Sequence, residues 1–108
     1  MNRGSLVTIA LPGDFGKPRP ALVMQSDAFA GHSSIMVLPL SFEFVDAPLM
    51  RFTVLPEPSN GLRRPSQVMV DRAMTVRRER VGSVIGRLDG QAVLQIERLL
   101  GVFLGIQS

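Results

Sequence analysis

Residues 18–24 read Pro-Arg-Pro-Ala-Leu-Val-Met, and this stretch says most about the fold. Each proline fixes its own φ at about −65° and favours extended geometry in the residue before it. An apolar run of strand length follows, so we predict a strand over residues 20–25 with Arg19 directly before its first residue. Arg19 then has little backbone freedom. Its guanidinium is charged at any physiological pH and is suited to grip a phosphate.

On either side of this stretch, the chain alternates short apolar runs with turn signals. Asn60-Gly61 is a strong turn signal, and residues 75–80 read as a single helical turn capped by Thr75. The remaining runs predict strands at residues 5–11, 34–41, 49–55, 66–70 and 81–88.

The C-terminus has the pattern of an amphipathic helix. Asp89 is a good N-cap, and Gly105 is a typical helix stop. The stripe expected to dock on the sheet consists of Val93, Ile96, Leu100 and Phe103, widened by Leu99 and Leu104. Many short strands and one terminal helix predict a mainly β domain over residues 1–108, built as a small, strongly curved sheet or barrel.

Composition limits the function classes. The chain has 108 residues and no cysteine, which removes disulfides, thiolate nucleophiles and cysteine-type zinc sites. No apolar stretch reaches the roughly 18 residues that a membrane span needs, and the N-terminus lacks a signal-peptide pattern. We therefore expect a cytoplasmic protein without membrane contact. One histidine without cysteine excludes an ordinary zinc site, so neither metal nor cofactor is expected.

The charge is uneven along the chain. Residues 1–54 are balanced, so the whole excess of +3 lies in residues 55–108. Arginine supplies all but one of the 12 basic residues. Such a field suits phosphate or nucleic acid, while genome base composition and a solvated basic face explain it equally well.

Four side chains are candidates for chemistry at strand ends or in loops. Arg19 is the first, Ser41 ends an apolar run, Asp71 closes another beside Arg72, and His32 lies in a Gly/Ser loop. Taken alone, Ser41 also fits a turn, Asp71 a local ion pair, and His32 an idle surface residue. Arginine, hydroxyl and carboxylate together suit metal-free attack on a phosphodiester better than acyl transfer.

Several blocks, in order, resemble one protein family. They are Arg3-Gly4 before a strand, GKPRPALVMQSD at 16–27, VLPLS at 37–41, GLRRPSQVMVDRAMTV at 61–76 and IGRLDGQAVLQIERLLGVFLGI at 85–106. Together they resemble the MazF/PemK toxins of bacterial toxin–antitoxin pairs. The resemblance implies an SH3-like β-barrel with a C-terminal helix, acting as a homodimer. It also implies metal-independent cleavage of single-stranded RNA at short motifs, which inhibits growth.

The resemblance also implies partners and site residues. The partner is a cognate antitoxin whose acidic, disordered tail covers the RNA groove, and operator DNA is reached only through that antitoxin. The family's catalytic arginine, hydroxyl and aspartate fall on Arg19, Ser41 and Asp71. Met69 stands where some members have an arginine, and the first loop offers only Asp14 and Lys17 where some have a glutamate or histidine. The general base therefore stays open between Asp14, Asp71 and His32.

RNA binding is expected in loops and at arginines. Phe15 either stacks on a base or closes the end of the barrel. The other candidates for RNA contact are Asp14, Lys17, Arg51, Arg63, Arg64 and Arg72. Two alternatives remain: a CcdB-like gyrase poison, whose usual C-terminal tryptophan is missing before Gly105-Ile106, and a catalytically inactive antitoxin-binding module.

Overall fold

A seven-stranded antiparallel sheet and one C-terminal helix make up the computed structural model, which describes residues 1–11, 13 and 17–107. Short 3-10 turns occupy Asp27–Phe29, Val70–Arg72 and Arg78–Arg80. The regular elements are β1 (Ser5–Ile9), β2 (Arg19–Val23), β3 (Ser34–Ser41), β4 (Arg51–Val54), β5 (Ser66–Met69), β6 (Met74–Arg77), β7 (Val81–Arg87) and α1 (Gly90–Phe103).

Strand β3 is the hub of the sheet. The strand order is β4-β5-β3-β2-β1-β7, and β6 also pairs with β3. The first half of β3 pairs with β6 and its last residues pair with β5, while β2 occupies the opposite edge. Three neighbours on one strand bend the sheet strongly. In the described part of the chain no ladder joins β4 to β7, so the hydrogen bonding leaves the curved sheet open.

Successive residues of the central strands are buried on opposite faces of the sheet. Leu22 and Leu38 belong to a cluster that includes Val93 and Ile96 of α1. The alternate residues belong to a second cluster on the other face, formed by Val7, Ile9, Ala21, Val23, Ile35, Val37 and Val76. Both faces of these strands are therefore covered by apolar packing. This is why their sequences are nearly continuous apolar runs.

The fold class predicted from sequence, mainly β with a C-terminal helix, is confirmed, and β3 has the predicted bounds. The helical turn predicted over residues 75–80 is wrong. Thr75 lies in β6 opposite Met36, and only Arg78–Arg80 form a 3-10 turn. Burial of Val76 in the second cluster and the ladder to β3 outweigh the local capping signal.

Helix α1 begins as predicted and packs over part of its predicted stripe. The Asp89 carboxylate accepts the backbone N–H of Ala92 at 2.8 Å. Phe103 and Leu104, expected on the sheet, are instead 50% and 58% exposed, and the chain after the helix folds back onto the Gly101 carbonyl. In the described part of the chain, no helix has the length and apolar character needed to cross a membrane.

Candidate functional site

An open groove of about 800 Å³ lies where β2 begins and β3 ends, and we call it the β2–β3 groove. Its described charged lining residues are Arg19, Arg64, Arg72 and Glu43, which makes the groove cationic. The uncharged lining residues are Ile9, Leu11, Pro20, Pro39, Leu40, Ser41, Phe42, Met69, Ala73 and Met74. An apolar floor with a few arginines at the rim suits a ligand that carries both flat bases and phosphates.

The register between β2 and β3 brings Arg19 and Ser41 together. Ala21 pairs with Pro39 in the antiparallel ladder. The ladder ends at this pair, and continuing its register by two residues places Arg19 across from Ser41. Residues directly opposite in an antiparallel pair share a face, at about 5 Å between Cβ atoms. Both residues line the groove, so a guanidinium and a hydroxyl belong to the same wall.

The Ser41 side chain closes a tight turn at the end of β3. Its Oγ accepts the backbone N–H of Glu43 at 3.0 Å and donates to the carbonyl of the same residue at 3.2 Å. The predicted turn-forming role of Ser41 and its place in the groove thus coexist. A ligand oxygen must compete with the Glu43 carbonyl for the hydroxyl proton.

Asp71 is not among the groove-lining residues. It lies in the turn after β5, and its carboxylate is bonded to the guanidinium of Arg51. The two side chains are only 20% and 9% exposed, and Arg51 also donates to the Met50 carbonyl. Arg72 Nε is 4.0 Å from the second carboxylate oxygen. In the described structure Asp71 therefore acts on the groove only through Arg72, and Arg51 is occupied by the ion pair.

The other predicted residues fall in different places. Arg64 and Arg72 line the groove, whereas Arg63 is exposed and Lys17 lies on the approach to β2, neither among the lining residues. His32 is exposed in the loop before β3, away from the groove, and its carbonyl accepts the Arg78 guanidinium. Asp14 and Phe15 lie outside the described residues. The described chain holds no group of three or more His, Asp or Glu side chains that could bind a metal ion.

Two groove residues were missed by the sequence reasoning: Phe42 and Glu43, directly after Ser41. Among the described lining residues Glu43 is the sole carboxylate. The Phe42 ring lies under the guanidinium of Arg64, with 3.8 Å from the Arg64 Cζ to the ring centroid. The local sequence carried no signal that set these two residues apart, because Phe44 of the same loop is also an exposed phenylalanine and does not line the groove.

A buried glutamine holds the loop that carries these two residues. Gln67 of β5 lies across from Ser41 in the ladder. Its amide accepts the Val45 N–H at 3.0 Å and donates to the Val45 carbonyl at 3.2 Å. With the Ser41 turn, this pair of bonds anchors the loop at two points and fixes the groove wall.

Residues 2–104 match the PemK-like, MazF-like toxins of type II toxin–antitoxin systems. The chain belongs to this family. It is 40% identical over 107 residues to a probable endoribonuclease MazF of Mycolicibacterium smegmatis, covering 98% of both chains. The predicted resemblance to the MazF/PemK family is confirmed. It favours an endoribonuclease toxin over the alternative of a CcdB-like gyrase poison.

Solved structures of MazF proteins share the fold. The Mycobacterium tuberculosis toxin MazF-mt6 superposes with a TM-score of 0.81 at 21% identity, covering 96% of this chain and 99% of that one. A MazE–MazF structure from Deinococcus radiodurans gives 0.79 at 24% identity, covering 100% and 97%. An endoribonuclease in complex with its cognate antitoxin from a mycobacterial species gives 0.81 at 20% identity, covering 100% and 98%.

The Arg51–Asp71 pair predicts a large stability effect for this MazF/PemK protein. Asp71→Ala leaves a mostly buried guanidinium without its counterion, so the free energy of unfolding should fall by about 3 kcal/mol. The double variant Arg51→Met/Asp71→Leu removes both charges and should recover most of that loss. Urea unfolding of the three proteins measures both effects. A loss below about 1 kcal/mol for Asp71→Ala would mean that the ion pair contributes no more to the free energy of unfolding than a surface salt bridge does.

Proposed function

We propose that this toxin is an endoribonuclease that cuts single-stranded RNA at short sequence motifs without a metal ion, and thereby inhibits growth. The observation that carries the proposal is that Arg19, at the start of β2, and Ser41, at the end of β3, line the same cationic groove. Membership of the toxin family and 40% identity to a probable endoribonuclease MazF support it.

The reaction we propose is attack of the ribose 2′-hydroxyl on the adjacent phosphorus. The bond from phosphorus to the 5′ oxygen breaks, which leaves a 2′,3′-cyclic phosphate and a 5′-hydroxyl. Charge builds on the non-bridging oxygens of the phosphorane. Arg19 stabilises it with its forked donors, and Ser41 adds a hydroxyl donor once its proton turns away from the Glu43 carbonyl. Donors already in position in such a site are each worth about 3–4 kcal/mol in the transition state.

The general base is best supplied by Glu43. Glu43 is the sole carboxylate among the described lining residues, His32 does not line the groove, and the Asp71 carboxylate is engaged by Arg51. The Ser41 turn fixes the backbone of Glu43 next to the proposed phosphate position. In the proposed reaction the Glu43 carboxylate takes the proton of the 2′-hydroxyl, and the leaving 5′ oxygen takes one from solvent. Asp71 keeps a positioning role through Arg72.

We further propose a cognate antitoxin with an acidic tail as the protein partner. The cationic groove is complementary to such a tail, and solved MazE–MazF structures share the fold. Operator DNA is then bound only through the antitoxin. A homodimer is the proposed assembly, and the exposed Phe103, Leu104 and Ile106 at the end of α1 are apolar surface available for it.

Arg19→Ala should lower the kcat of RNA cleavage 100-fold or more, because it removes the main donor to the phosphorane. The assay is cleavage of a mixed single-stranded RNA in EDTA, with the product ends identified as cyclic phosphate and 5′-hydroxyl. Arg98→Ala, which removes an exposed arginine of α1, is the matched control and should cleave normally. Retained cleavage by a folded Arg19→Ala protein would remove Arg19 from the mechanism.

The same preparation should separate the two alternatives. A gyrase poison would trap cleaved plasmid in a reaction with DNA gyrase and leave RNA intact. An inactive antitoxin-binding module would do neither.

Glu43→Gln should lower kcat by about 100- to 10,000-fold with little change in KM, as expected for loss of a general base. The substitution keeps the side-chain shape, and the Ser41 turn uses only the Glu43 backbone, so the fold should be unchanged. Asp71→Asn assayed beside it tests the other carboxylate. A larger loss of kcat in Asp71→Asn than in Glu43→Gln, with both proteins kept below their unfolding temperatures, would return the base to Asp71.

A further inference from the structure

We propose that Phe42 and Arg64 form a stacking platform for one RNA base next to the cleaved phosphate. This inference rests on the proposed ribonuclease function and names residues that select the substrate. The platform is the Phe42 ring with the Arg64 guanidinium 3.8 Å from its centroid, inside the β2–β3 groove.

The position of the ring fits a base whose phosphate is held by Arg19 and Ser41. Phe42 directly follows Ser41, and the chain bends there, so both side chains line the groove. A base attached to the sugar beside that phosphate reaches the ring without leaving the groove. Base contacts, unlike phosphate contacts, carry sequence information.

The exposure of the ring supports a ligand role. Phe42 lines the groove and is 40% exposed. One face is covered by the guanidinium, which is held by cation–π attraction. Arginine planes and aromatic rings are the surfaces on which proteins stack unpaired RNA bases. Flat stacking surface is therefore available in the groove before RNA arrives.

The platform is held in place by its surroundings. Gln67 fixes the Phe42 loop at Val45, and the Ser66 hydroxyl donates to the Arg64 carbonyl at 3.0 Å. Little conformational freedom is then lost when a base stacks, which favours binding. The same ring on an unanchored loop would bind more weakly.

The test combines variants of the protein with altered RNA substrates, as in a double-mutant cycle. Phe42→Leu should lower kcat/KM about 10- to 100-fold on a short single-stranded RNA that contains the cut site. Phe42→Trp should stay within about threefold of the unchanged protein. RNAs that lack the base on either side of the cut, with the 2′-hydroxyl kept, complete the cycle. On one of these two RNAs, Phe42→Leu and the unchanged protein should have the same kcat/KM.

The matched control is Phe44→Leu, because Phe44 is an exposed phenylalanine of the same loop, 52% exposed, that does not line the groove. It should cleave all substrates normally. Arg64→Met is the second variant and should show the same dependence on the base as Phe42→Leu. Thermal unfolding of each variant checks that the fold is kept.

The outcomes separate this proposal from the ribonuclease proposal. If the unchanged protein cuts no RNA, the proposed function fails and the platform fails with it. If RNA is cut but Phe42→Leu matches the unchanged protein, only the platform is overturned. Equal losses on intact RNA and on both base-less RNAs would assign Phe42 to loop support. A loss confined to binding of an acidic antitoxin peptide would assign the ring to that partner, and either result overturns the platform.

Discussion

The hydrogen-bonded register between β2 and β3 is the constraint on which the candidate site depends. Both strands lie in the middle of the sheet with both faces buried, and a slip of one residue would put Leu22 and Leu38 in the places of the smaller Ala21, Val23 and Val37. The core therefore fixes the register, and the register fixes Arg19 opposite Ser41. The energy that places the two proposed catalytic groups comes from apolar burial several residues away.

The second support of the groove is electrostatic and lies behind its wall. Arg51 and Asp71 join the edge strand β4 to the turn after β5, and the next residue is Arg72 of the groove. A largely buried pair of this kind costs more to break than it adds over apolar neighbours. Its value to the site is therefore geometric. It joins β4 to the turn that contains Arg72 of the groove.

Much of the fold could be predicted from local signals, because proline framing, turn residues and apolar periodicity agree with the tertiary structure over most of the chain. β3 and the start of α1 at Asp89 are examples. Residues 75–80 were misread since the ladder to β3, which local propensity does not encode, decides their conformation. The prediction that Phe103 and Leu104 dock on the sheet was wrong. Periodicity identifies the apolar side of a helix but does not show where the sheet packed against that side ends.

The candidate site was predictable in the half formed by Arg19 and Ser41, the proposed phosphate-binding residues, and not in the rest. Arg19 carries its own backbone constraint, so its orientation is visible in the sequence. Phe42 and Glu43 become groove residues only through the bend after Ser41 and the brace from Gln67, both of which depend on residues far along the chain.

That difference follows from the chemistry the two halves are proposed to do. Every phosphate in RNA is alike, so a rigid guanidinium and a hydroxyl on regular strands suffice to hold one, and they carry no sequence preference. Choice between RNA sequences requires contact with bases, which lie at varied distances from the backbone. A loop that is anchored yet outside the ladder can present an aromatic ring and a carboxylate at such distances without disturbing the core. In the proposed reaction Arg19 and Ser41 set which bond is cut, while the loop after β3 governs which RNA is brought to them.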